Sequence, residues 1–246
     1  MAENQAGFEM LLRSIEALRS FAGSCEVAEQ ETKTDKQRVI ALVLAARVLE
    51  VLEAAYVIMK HGMSTEANSL FRIFLDAYFV LANICSDPDF VVEYFQSDEA
   101  DRLKLINAAR KYTDELFRQV NEGISDEHRA NLKARVESEK IQAFNSYKYA
   151  AKIGGEIIYD SMYRITSSAI HTTPKALIGY TEKDDEGAVV LVRDGPSRGQ
   201  IPQRLHDLTD FSIRALSGLQ ECFGCLDQEQ INRLSVKLQQ VRMSET

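Results

Sequence analysis

Residues 65–85 read Thr65-Glu-Ala-Asn-Ser-Leu-Phe-Arg-Ile-Phe-Leu-Asp-Ala-Tyr-Phe-Val-Leu-Ala-Asn-Ile-Cys85. The stretch is apolar nearly all round, through Ala67, Leu70, Phe71, Ile73, Phe74, Leu75, the run from Ala77 to Ala82, and Ile84. A helix that is hydrophobic on every side belongs inside a core, so the chain reads as an all-α protein built around this segment. Thr65, Ser69, Arg72, Asp76 and Asn83 interrupt the pattern, and their spacings of 4, 3, 4 and 7 put them on one stripe. An unpaired buried charge is prohibitive, so Arg72 and Asp76 are expected to bond to each other. Two settings satisfy that rule. One is an exposed edge, where an i, i+4 pair is worth roughly a few tenths of a kcal/mol. The other is a polar seam lining a pocket, with further partners from elsewhere in the chain.

Helical periodicity continues on both sides. Gly7 to Val27 repeats Phe8, Leu11, Leu12, Ile15, Leu18 and Phe21 with charges between them, as an amphipathic surface helix does. A polar linker, Glu29 to Lys36, leads to a second helix that runs to Lys60 and stops at His61-Gly62, where glycine suits the left-handed residue past a helix end. The short step to Thr65 implies an antiparallel helical hairpin. Asp87-Pro88 is a start signal for a more polar helix from Asp89 to about Val120. Ser125 opens another, to about Ser138. Tyr147 to Ile170 is apolar again, with Gly154-Gly155 inside it, and Pro174 limits this element to His171 or Thr172. Leu177–Thr181 and Ala188–Val192, joined by Asp184–Gly187, suggest a small β-hairpin within 177–193. Asp194 to Gly199 is loop, and helices at about Gln203–Phe223 and Gln228–Val241 close the chain. The expectation is a single helical bundle over 1–246, of about seven or eight helices.

Twelve glycines, four prolines and no tryptophan in 246 residues agree with a helical chain. The net charge of −8, from 37 acidic and 29 basic residues, weighs against a broad nucleic-acid surface but leaves room for a small basic pocket. Met1-Ala-Glu-Asn-Gln lacks a basic start and an apolar run, so no secretory signal is expected. The apolar tract Val39–Met59 carries Arg47, Glu50 and Glu53, which favours a core helix with one solvated face over a membrane span. Scattered cysteines and no export signal point to a cytoplasmic protein with free thiols. Cys222 and Cys225 form a lone C-x-x-C without a second ligand pair, so no metal and no cofactor are expected.

A second polar stretch, Tyr163-Arg-Ile-Thr-Ser-Ser-Ala-Ile-His171, lies in the later apolar segment. Seven residues fall roughly 20° short of two turns, so Arg164 and His171 share a face about 10.5 Å apart along the axis. Tyr163 and Ser167, like Ser167 and His171, are i, i+4 neighbours, which adds a hydroxyl-bearing edge. The bland reading is a surface arginine, a histidine favoured by the helix C-terminus, and serines that permit close packing. The functional reading is a site that grips an anion or moves a proton. Two polar stripes in one core need partners, so Arg72 and Asp76 are expected to face Tyr163, Ser167 and His171. His61, His128 and His206 occupy unremarkable positions at a helix end, a charged first turn and an amphipathic helix.

The residues Glu66-Ala67, Leu70-Phe71-Arg72 and Asp76, with Tyr163-Arg164-Ile165-Thr166-Ser167-Ser168-Ala169-Ile170-His171, resemble bacterial helical proteins grouped as domain of unknown function five-six-seven-seven. Thr166 stands where that family usually has leucine, and Asp76 where it usually has glutamate. The resemblance covers about Arg38–Leu177 and implies an all-α fold without settled biochemistry. The chain is also loosely similar to the HEPN superfamily of helical nucleases, whose signature is arginine, four to six residues, then histidine. That similarity implies metal-independent RNA cleavage across a dimer cleft, in toxin or phage-defence systems. Arg164 would then stabilise phosphate charge and His171 would move protons. Apolar Ile165 after the arginine departs from that pattern, and the acidic chain offers little electrostatic support for RNA.

Two function classes remain. The first is a cytosolic ligand- or partner-binding regulatory module, with Arg72, Asp76, Tyr163 and Ser167 as the binding set. The alternative is an endoribonuclease using Arg164 and His171. A homodimer is expected, since so many apolar helical faces are hard to cover in one protomer. RNA or a small polar ligand is the expected partner class, without a membrane.

Overall fold

A computed structural model describes residues 4–24, 35–112, 114–171, 173–177, 180–192, 199–224 and 226–244. The chain runs α1 (Gln5–Ser24), α2 (Lys36–Lys60), α3 (Ser64–Ser86), α4 (Phe90–Ala109), α5 (Glu115–Gly123), α6 (Asp126–Ser138), α7 (Ser146–Lys152) and α8 (Glu156–Ile158). A π-helical turn (Tyr159–Tyr163) then leads into α9 (Arg164–Ile170), α10 (Pro174–Leu177), β1 (Thr181–Lys183), β2 (Val189–Val192), α11 (Ile201–Phe223) and α12 (Gln228–Ser244). The fold is all-α with one small antiparallel hairpin.

α3 is the axis of the core. By length and composition it resembles a membrane span, with a mean hydropathy of 1.4, yet 61% of that window is buried within the protein. It packs against α2 on one side, α11 on another, and α9 and α7 on a third. Phe71, Phe74 and Tyr78 each meet the ring of Phe211 from α11, at 6.0, 6.5 and 5.1 Å. α1 closes over α2 and α11. At Gly7 the approach is so close that a Cβ would lie 3.1 Å from Leu205 Cδ1.

The helix ends follow local chemistry. The Asp35 carboxylate caps α2 by accepting the Arg38 N–H at 3.0 Å. Gly62 takes a φ of 81° just past that helix, where a side chain would be strained. The solvated face of α2 is as the sequence suggests: Arg47 pairs with Glu50 at 2.6 Å and Glu53 with Arg19 at 2.6 Å.

Three expectations are corrected. The helix expected from Asp89 to Val120 opens at Phe90, after the Asp87 side chain has accepted the Asp89 N–H at 3.0 Å, and breaks after Ala109. Asp114 caps a new helix, and Arg110 Nη2 reaches the Ile124 carbonyl at 2.6 Å, folding α5 back on the end of α4. The segment Tyr147–Ile170 is not one helix, because Gly154, at φ 67°, ends α7 and Gly155 donates to the Ala150 carbonyl at 2.8 Å. Pro174 starts a further helical turn, α10, so the first hairpin strand lies at Thr181–Lys183 instead of at 177–181. In the hairpin turn the Asp184 carboxylate accepts from the Glu186 and Ala188 N–H groups at 3.0 and 2.8 Å. The linker at 29–34, the loop at 194–198, Cys25 and Cys225 lie outside the described residues.

Candidate functional site

From Arg72 to Asn83 the polar stripe of α3 bonds to α7, the π turn and α9. At its far end Asn83 Nδ2 donates to the Phe79 carbonyl at 2.7 Å and to the Tyr149 carbonyl at 2.8 Å, tying α3 to α7. At its centre stands Arg72, each of whose three guanidinium nitrogens donates one bond. Nη1 donates to Asp76 Oδ2 at 3.0 Å, Nη2 to Tyr163 Oη at 2.5 Å, and Nε to Ser167 Oγ at 3.3 Å.

The bonds close into a ring. Tyr163 Oη, having accepted from Arg72, donates to Ser146 Oγ at 2.9 Å, and Ser146 Oγ donates to Asp76 Oδ1 at 2.5 Å. Each hydroxyl gives one bond and takes one, an arrangement in which neighbouring bonds polarise and strengthen one another. Asp76 is held by one donor on each oxygen. The Arg72 and Asp76 side chains keep 26% and 23% exposure, so the ring is neither sealed nor open. Burial pushes the Tyr163 phenol up to about 12, and the nearby Asp76 charge adds to that rise.

An aromatic column stands beside the ring. The Arg72 guanidinium lies 4.7 Å from the Tyr163 ring centre. Tyr163 stacks on Tyr159 at 4.6 Å and 18°, and the Arg164 guanidinium lies 5.7 Å from Tyr159 on this arm. Tyr159 and Tyr163 bracket the π turn. Such one-turn insertions occur often at functional sites, and here the insertion lies where Tyr163 meets Arg72.

The structure thus brings Arg72, Asp76, Tyr163 and Ser167 together and adds Ser146, which the sequence reading missed. Ser146 follows the capping residue Asn145 in the first turn of α7, so its sequence signal is that of a helix start. His171 does not join them. It is exposed at the end of α9 and makes no hydrogen bond or ion pair with Arg72 or Asp76. Arg164 is also exposed and is held by Asp160 at 2.9 Å. A second charged pair also went unnoticed. Arg204 and Asp207 on α11 are 8% and 5% exposed and 2.9 Å apart, with the Arg204 guanidinium 4.6 Å from the Phe71 ring centre.

A family model described as a family of unknown function (DUF5677) matches residues 38–188, which hold the whole ring and both ends of the column. No curated protein and no solved structure matches the chain.

Proposed function

The chain belongs to that family, and on that footing we propose that it is a cytosolic ligand- or partner-binding regulatory module in which Arg72 and Asp76 make the recognition contacts. The observation that carries the reading is the unspent capacity of the ring. A guanidinium has five N–H groups and Arg72 uses three, while each Asp76 oxygen accepts one bond and has room for another. With about a quarter of each side chain open to solvent, this edge offers donors and acceptors side by side. It suits a small polar ligand, or a peptide amide, that both gives and accepts hydrogen bonds. Tyr163, Ser146 and Ser167 hold the two charges in place, so binding requires little reordering.

The ribonuclease reading implied by the HEPN similarity has less support. Arg164 is engaged by Asp160 and Tyr159, and His171 lies exposed and separate from the ring. Thermal-shift measurements against small carboxylates, phosphates, free amino acids and a capped dipeptide test the binding reading. At least one class should raise the melting temperature of the native protein and leave Arg72→Met unaffected. Incubation with total RNA in EDTA should leave the RNA intact. Cleavage that disappears in both Arg164→Ala and His171→Ala would overturn the proposal in favour of the nuclease.

A further inference from the structure

The arm from Glu156 to Ile170 buries Tyr163 and Thr166 and leaves its other side to solvent. On the open side Ile157 is 83% exposed and Ile165 is 53% exposed, and Asp160, Ser161 and Arg164 between them are exposed as well. Single exposed apolar side chains are ordinary on a protein surface, so what marks these two is their alignment along one face. Over eight residues of ordinary α-helix two side chains drift apart by about 80°. The π turn at Tyr159–Tyr163 closes on more residues, so each advances through a smaller angle, and Ile157, Ser161 and Ile165 stay closer to one line.

This stripe is complementary to itself. Ile157 and Ile165 lie equally far from Ser161 in sequence. A second arm crossing antiparallel at Ser161 therefore sets Ile157 of each copy on Ile165 of the other, with a small side chain where the backbones come nearest. Asp160 and Arg164 straddle nearly the same point, so each faces its opposite charge on the other copy. We propose that the chain forms a two-fold homodimer through this face, with Ile157 and Ile165 as the apolar contact and Asp160–Arg164 ion pairs in trans. The Asp160–Arg164 bond of 2.9 Å within one copy then becomes part of a four-charge cluster. Two other apolar surfaces, β2 with Val189 to Val192 and the groove formed by Val39, Val91, Val92 and Phe95, lie on other elements and serve as controls. The inference does not depend on the ligand reading.

A single helix-pair contact is a small interface, so the dimer should dissociate in the micromolar range. Sedimentation of the full chain should give twice the 27.7 kDa chain mass at high concentration. Ile165→Glu and Ile157→Glu, checked for folding by circular dichroism, should sediment as monomers, and Val190→Glu and Val92→Glu should remain dimers. Asp160→Arg and Arg164→Asp should each weaken self-association by roughly ten-fold or more, because like charges then meet across the axis. An equimolar mixture of those two variants should recover a heterodimer near native affinity. A native protein that stays monomeric, a dimer indifferent to both glutamate substitutions, or a mixture that fails to pair would each overturn the proposal.

Discussion

Replacing Arg72 by methionine tests the ring most directly. Methionine keeps the apolar stem that packs along α3 and removes only the guanidinium. Three hydrogen bonds disappear, one of them to the Asp76 carboxylate, together with the contact on the Tyr163 ring. Hydrogen bonds involving a charged group contribute about 1.5–3 kcal/mol each, but partial exposure and the shared geometry keep them from adding in full. The substitution also leaves Asp76 half-buried with Ser146 as its remaining donor, which is a cost in its own right. The expected loss is about 2–4 kcal/mol, read as a lower urea midpoint at unchanged slope by far-UV circular dichroism. A double-mutant cycle with Tyr163→Phe separates the ring from general packing and should give a coupling of about 1–2 kcal/mol. A loss under about 0.5 kcal/mol, or a coupling near zero, would mean that the ring is a surface ion pair and the reasoning fails.

Two further outcomes follow from buried charge. The Tyr163 phenol is raised from its ordinary 10.0 to about 12, so the folded state holds its proton more tightly than the unfolded chain does. Its contribution to stability is complete below about pH 10 and is lost as pH climbs through about 12. The tyrosinate absorbance difference between native protein and Tyr163→Phe should accordingly rise near pH 12, and a difference centred near 10 would contradict the burial argument. On α11, burial pushes the Asp207 carboxyl up and the Arg204 guanidinium down, so desolvation opposes both charges. Asp207→Leu alone strands a buried cation and should cost about 3–5 kcal/mol. Arg204→Met/Asp207→Leu together should restore most of that loss or exceed the native stability. A double variant no more stable than the single one would contradict this.

The central helix and its seam are legible in the sequence because the signal is a contrast: Arg72 and Asp76 stand in a run that otherwise has no reason to touch water. The need for partners follows from that contrast, and the second polar stretch supplied Tyr163 and Ser167. Ser146 is not legible, since a serine beside a capping asparagine already has a local explanation. The place of His171 is not legible either. Helical spacing sets it on a face with Arg164, but that face is the one α9 turns away from α3. The break near Arg110 depends on a guanidinium reaching the Ile124 carbonyl fourteen residues later, a tertiary contact that periodicity does not encode. The buried pair on α11 is hidden by its own spacing, because an i, i+3 ion pair in an amphipathic helix ordinarily marks a wet surface.

α6 has no buried residue. It is fastened to α4 by polar ties: Arg129 to Asn107 at 2.9 Å, Arg135 to Glu99 at 3.1 Å, and Gln96 to Glu139 at 3.1 Å. Dissolved ions weaken fastenings of this kind and barely affect packed rings and methyl groups. Concentrated sodium chloride should therefore loosen this outrigger and leave the trunk intact, whereas urea unfolds the trunk as well.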